Sequence, residues 1–298
     1  MATVKHYARM RKFEAGDVMR VNIYPVRTVA KSRSPKRSAS RACQEALNKR
    51  NSLKRFSDIA HLNFNRREGG LRVSLDYDRF KEQLGRNPNR EEYRAYLASY
   101  FRRLRALYAA HGGELKYMVM THVGRKAGTV HHHLIISNKP KGLEWEQINA
   151  LWRDLGNDNY VPLIFSNGSV LGLTTYFFKN SVDKKWSCSK NCKRPSVEAY
   201  EDGTPASVSY VDGEITMSQA HYLDKHREDI AYIQKLFPGY GVSYVAQKAE
   251  LIGPDGTEYS LLPFDGPFVE IGLYKLSAED KRIKIGHKRR VIRPRIKV

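Results

Sequence analysis

The chain has 298 residues, 41% of them hydrophobic, and a formal net charge of +21. No apolar run reaches the ~18 residues of a membrane span, the first residues lack the apolar core of a secretion signal, and three cysteines are too few for a disulfide framework. These features argue against a membrane-spanning or disulfide-stapled protein and lead us to expect a cytoplasmic one.

The basic charge sits at the two ends. Residues 1–55 carry 15 Lys/Arg against 3 Asp/Glu, residues 281–298 carry 9 against none, and the 225 residues between them balance. Basic ends on a neutral body point to a polyanion partner.

The segment 27–41, RTVAKSRSPKRSASR, is polar and basic, and is read as a flexible arm or a DNA-contacting segment, with Arg33, Lys36, Arg37 and Arg41 the residues to meet DNA. Helical spacing follows over 42–64, with Ala46, Leu47, Leu53 and Ile59 on its apolar side. Residues 71–78 alternate strictly: Leu71, Val73, Leu75 and Tyr77 on one face, Arg72, Ser74, Asp76 and Asp78 on the other. That is a half-buried strand.

The clearest helix is 87–113, with Asn87 as cap, Pro88 in the first turn, an inner stripe of Tyr93, Leu97, Tyr100, Leu104 and Leu107, and Gly112 at its end. Strands at 115–122 and 130–137 flank a glycine-containing turn. A second amphipathic helix covers 142–156, a short strand 160–165, and a helix is expected in 173–180, with its threonines as caps. The last third carries many turn signals, one long helix (217–237) and several short strands.

Three histidines in a row, His131, His132 and His133, open the second of the paired strands. Strand alternation puts His131 and His133 on one face and His132 on the other. Two imidazoles so spaced reach one metal ion, and a third ligand commonly comes from a neighbouring strand. His122 ends the preceding strand, and a hairpin would bring it to the same ion.

Farther on, Tyr176 and Lys179 are three residues apart, on one face of the expected helix. A phenol is a weak nucleophile at neutral pH, but a nearby cation favours the phenolate, and a metal on the phosphate oxygens makes phosphorus more electrophilic. Histidines, tyrosine and lysine together are parts for cutting a phosphodiester through a phosphotyrosine.

The order of these segments resembles the HUH endonucleases, and among them the single-tyrosine rolling-circle replication initiators of phages, plasmids and integrated elements. The strand LRVSLDYD stands in the place of their first motif, HHH in that of their His-apolar-His, and YFFK in that of their Tyr-x-x-Lys. Where many relatives carry a glutamate on the preceding strand, this chain has His122, which changes the charge and softness of the ligand set. The resemblance covers about residues 45–195. It implies an α+β fold whose catalytic domain is ferredoxin-like or RRM-like, with a central antiparallel sheet. It also implies Mg²⁺ or Mn²⁺, cleavage of single-stranded DNA at a replication origin, a 5′-phosphotyrosine and a free 3′-OH. No Gly-rich nucleotide loop is present, so a helicase would come from elsewhere; the partners that the resemblance implies are a helicase and a polymerase of the host cell.

Relaxases of the same superfamily generally carry their tyrosine before the histidines, and its small transposases carry theirs after, as here. The lysine of YFFK favours an initiator. Two readings from other classes are a non-catalytic nucleic-acid binder with a structural zinc, and a nuclease that uses water. The basic loop after the tyrosine offers Lys184, Lys185, Lys193 and Arg194 to DNA, and Trp186 for stacking on a base or for packing. Cys188 and Cys192 would need further zinc ligands, for which Cys43 and His61 are candidates. The expected organisation is a basic arm and helix over 1–55, the endonuclease domain over 56–195 and an accessory region over 196–298.

Overall fold

The computed structural model describes residues 6–27, 41–123, 129–166, 168–179, 186–195, 197–199, 205–207, 210–247, 251–252, 258–259 and 266–276. The expected DNA-contacting residues Arg33, Lys36, Arg37, Lys184 and Lys185 lie outside that set, as do the basic tail 281–298 and the side chains of Arg41, Cys43 and Lys179.

In chain order the elements begin with β1 (His6–Ala15), β2 (Val18–Arg27) and the helix α1 (Arg41–Asn63). Then come β3 (Leu71–Leu75), α2 (Asp78–Leu84), α3 (Arg90–Ala110), β4 (Tyr117–Val123), β5 (Val130–Ile136), α4 (Trp145–Asn149), β6 (Asp158–Pro162), α5 (Leu171–Lys179) and β7 (Trp186–Cys188). The last part holds β8 (Val197–Ala199), β9 (Pro205–Ser207), β10 (Tyr210–Ile215), α6 (Met217–Lys225), α7 (Ile230–Leu236), β11 (Tyr240–Gln247), β12 (Leu251–Ile252), β13 (Glu258–Tyr259) and β14 (Val269–Lys275). The fold is α+β with antiparallel sheets, and the chain divides into two units: 55–194, and 1–54 together with 195–298. Among the described residues, no helix is long and apolar enough to cross a membrane.

The unit 55–194 is built on a five-stranded sheet ordered β6-β3-β5-β4-β7, every pair antiparallel. One face of it carries Leu71, Val73, Leu75, Val119, Val130, Leu134 and Ile136 against Tyr93, Tyr100, Phe101, Leu104 and Tyr108 of α3, and against Ile148 and Trp152. Such an apolar layer, with side chains at most 7% exposed, is the main source of this unit's stability. The opposite face carries Met118, Met120 and Ile135, all fully buried. Phe56 of α1 packs there with Phe177 and Phe178 of α5 and Trp186 of β7 at 5.3–6.2 Å between ring centroids.

The cap of α3 is Asn89, not the expected Asn87. Its side chain accepts from the backbone N–H of Glu91 and Glu92, and the Glu92 carboxylate takes the Asn89 N–H in return. Pro88 therefore precedes the cap. The expected strand 71–78 ends at Leu75, because Asp76 turns to take the Asn157 N–H at 2.7 Å and Tyr77 leads into α2. A Cβ at Gly156 would collide with the Asp76 carbonyl, which keeps this crossing to glycine. The expected helix 142–156 is a short helix followed by turns, and the strand after it starts at Asp158.

In the other unit, residues 6–27 are a β-hairpin rather than part of an arm. Both chain ends build its sheet, ordered β10-β1-β2-β14-β11. Ala8, Met10, Met19, Val21, Ile23, Val269, Ile271 and Leu273 line one face, covered by Ala220 and Leu223 of α6 and Ile233 of α7. The expected single helix 217–237 is two helices, because Asp229 caps a fresh start by accepting the Tyr232 N–H.

Candidate active site

The β4–β5 hairpin pairs His122 directly with His131, Met120 with His133 and Thr121 with His132. His122, His131 and His133 therefore share one face of the central sheet. Each offers a ring nitrogen, and the three lie within 4.8 Å of one another. Three nitrogens about 2.1 Å from one ion, in tetrahedral or trigonal arrangement, stand roughly 3.4–3.6 Å apart, so a shift of somewhat under about 1 Å by each ring closes the set. His122 is 1% exposed, yet neither of its ring nitrogens finds a hydrogen bond of good geometry. A buried, unsatisfied imidazole is costly unless something takes its lone pair, and a metal ion does so.

The electrostatics suit that use. Burial, aided by the neighbouring His131, holds the His122 pKa down at about 4, the backbone of Phe177 only weakly opposing. Burial and the other two imidazoles hold His133 at about 3. His131 is lowered by burial too, against the field of Asp76. All three rings are thus neutral at pH 7, the form that coordinates a cation. Ser74 of β3, directly opposite His133, approaches its Nδ1 at 3.3 Å, a contact that orients the ring. Three imidazoles can hold a divalent cation; among the described residues no fourth His, Cys, Asp or Glu joins the group.

His132 points the other way, as alternation requires. It is fully buried, with Tyr77 Oη 2.9 Å from Nε2 and Thr121 Oγ1 2.9 Å from Nδ1. The rings of Tyr77, Tyr93 and Trp152 surround it at 5.5–6.0 Å. It is a satisfied core residue that joins β4, β5 and the segment after β3.

The helix α5 brings Tyr176 to the face that carries the three histidines. Phe177 and Phe178 are buried, and Phe177 lies nearly parallel to the His133 ring at 5.1 Å. With those neighbours anchored, Tyr176 is left 47% exposed, its ring 5.6 Å from that of His133. The helix is pinned to α1 by polar contacts. His61 Nε2 meets Ser169 Oγ at 2.9 Å, and the Val170 N–H points at the same nitrogen at 3.3 Å. Ser57 and Thr174 hydroxyls meet at 2.8 Å. Thr174 thus lies inside the helix instead of capping it; Ser169 accepts the Leu171 N–H at the helix start.

Lys179 closes α5, one turn beyond Tyr176. Trp186 is half-buried, edge-on to Phe56, which favours packing over base stacking. Lys193 is exposed, its backbone held by Asn63 through two hydrogen bonds, and Arg194 is exposed with Nη2 3.8 Å from Cys188 Sγ. Cys192 is buried against Ser189 and the Tyr117 carbonyl. His61 is occupied at the start of α5, and no metal-ligating group with these cysteines occurs among the described residues.

Sequence reasoning assigned no role to Ser57, Ser74, Tyr77, Thr121 or Ser169, and took His61 only as a candidate zinc ligand. Only Ser74 left a signal, its place on the polar side of an alternating strand. No family model matches the chain, and no curated protein or solved structure matches it.

Proposed function

We propose that this protein is a metal-dependent DNA endonuclease and strand transferase of the HUH type. On this reading the unit 55–194 is its ferredoxin-like or RRM-like catalytic domain, and its reaction starts rolling-circle replication. The observation that carries the reading is the meeting of three neutral imidazoles with one exposed tyrosine, whose ring stands against that of His133. A purely structural zinc site is closed by four protein ligands; three ligands beside an exposed phenol leave room for a phosphate.

His122, His131 and His133 would hold Mg²⁺ or Mn²⁺. Such an ion, when bound, would supply charge stabilisation at the phosphate. Tyr176 Oη attacks phosphorus in single-stranded DNA. The Oη–P bond forms, the P–O3′ bond breaks, and the phenolic proton ends on the leaving 3′-oxygen. The 5′ end is then held as a phosphotyrosine, while the free 3′-OH can prime a polymerase of the host cell. A phosphotyrosine is reversible, so a later 3′-OH can rejoin the end. Lys179, on the same helix face, would favour the phenolate. The basic segments 27–41 and 281–298, with Lys193 and Arg194, would hold the strand by its phosphates.

The test is incubation with Mn²⁺ and labelled single-stranded oligonucleotides tiled across the encoding element's DNA. A protein–DNA adduct that survives denaturation supports the reading. Cutting without an adduct would favour a water-using nuclease, and metal-dependent binding without cutting a non-catalytic binder.

A further inference from the structure

A cation stands on the metal face of the sheet that the reading above does not use. Arg72 lies on β3 two residues before Ser74, so both side chains leave the strand on the same side. Ser74 is directly opposite His133, and Arg72 is opposite Ile135 on the same neighbouring strand. Arg72 is therefore the diagonal neighbour of His133, ~7–8 Å away by Cα, within reach of a long side chain. Its positive field is felt at His133. On its other side it pairs with Val161 of β6, which offers no charge.

Arg72 is half-buried, and its guanidinium makes no hydrogen bond or ion pair with any described residue. A guanidinium on a rigid central strand has lost freedom and some hydration, yet no carboxylate among the described residues compensates it. Its five donors form a fork that matches a phosphate in two-point fashion.

We propose that Arg72 binds the DNA phosphate presented to the metal and Tyr176, and is a substrate-contacting residue of the active site. This rests on the endonuclease reading. Tyr176 and Arg72 both neighbour His133, from α5 and from β3, so a phosphodiester lying over His133 meets nucleophile and cation together. Because β3 is held on both edges by β5 and β6, the guanidinium is placed before the strand arrives.

The test compares Arg72→Met and Arg72→Lys with the wild-type full chain. Arg72→Met should keep the thermal midpoint and the calorimetric Mn²⁺ affinity, because Arg72 supports neither fold nor metal. Its kcat/KM for adduct formation on the nicked oligonucleotide should fall about 10- to 100-fold, the loss expected for one charge-assisted contact. Arg72→Lys keeps the charge without the fork and should recover part of that loss.

In a Tyr176→Phe background, which isolates binding, Arg72→Met should lower the slope of log affinity against log salt by about 0.7, the share of one phosphate contact on a single strand. Arg72→Lys should leave that slope unchanged. Wild-type kcat/KM in Arg72→Met, or a Mn²⁺ affinity that falls with it, would overturn the assignment while leaving the endonuclease reading intact. Absence of any adduct with wild-type protein would overturn both.

Discussion

Replacing His132 with leucine removes an imidazole held on both nitrogens, by Tyr77 Oη and Thr121 Oγ1, each at 2.9 Å. Alternation alone would make this substitution mild, because His132 faces away from the other three histidines, and the His-apolar-His pattern that the segment resembles has an apolar residue there. The buried polar contacts argue otherwise. Leucine leaves two hydroxyls without their partner, and an unsatisfied buried group costs about 1–3 kcal/mol. Tyr77 Oη keeps a weak acceptor in the Tyr93 carbonyl at 3.5 Å, and Thr121 is half-buried, so both losses fall at the lower end. Contacts with the rings of Tyr77, Tyr93 and Trp152 are partly kept by the new apolar side chain. The sum is about 2–3 kcal/mol of stability, read from the urea midpoint of the full chain against wild type. Mn²⁺ affinity at a temperature where the variant is folded should stay near wild type. A His132→Leu protein with an unchanged midpoint would refute the account of His132. One with an unchanged midpoint and lost metal binding would place His132 among the ligands.

Other expectations follow from the same geometry. The folded-state pKa values of His122, His132 and His133, about 4, 3 and 3, lie below the ordinary 6.5, so the unfolded chain binds more protons between these limits. Metal-free protein should therefore hold this stability above pH 6.5 and lose it as pH falls toward 3; a midpoint flat from pH 7 to 4 would contradict the burial of neutral rings. Ser74→Ala should weaken Mn²⁺ affinity about tenfold by freeing His133 to turn, measured by calorimetry. An all-imidazole donor set should bind Mn²⁺ more tightly than Mg²⁺; equal affinities would argue for an unseen oxygen ligand.

How far the chain could be read from its residues differed by element. The histidine hairpin was legible because alternation is local: His122, His131 and His133 fall on one face in the register that pairs Val119 with Leu134. The cap of α3 was misplaced by two residues because asparagines flank Pro88 on both sides, and only the return contact of Glu92 distinguishes them. The hairpin of residues 6–27 was hidden under its charge. Arg9, Arg11 and Arg20 made the segment look like an arm, although Ala8, Met10, Met19, Val21 and Ile23 already alternate. What completes that sheet is β14, whose Val269 pairs with Ile23 and Tyr274 with Val18, and pairing over such a distance leaves no local mark. The same holds for His61 with Ser169 and for Ser57 with Thr174, polar pins more than 100 residues apart that decide where Tyr176 stands.

The central claim is that Tyr176 is the nucleophile, and peptide mass mapping of the trapped adduct tests it most directly. The account predicts that nucleotide mass is found on the peptide containing Tyr176, and that Tyr176→Phe abolishes cutting and rejoining. That variant should retain its thermal midpoint, since a hydroxyl on a ring 47% exposed contributes little to the fold. An adduct mapped to another tyrosine, or a Tyr176→Phe protein that still nicks, would contradict it.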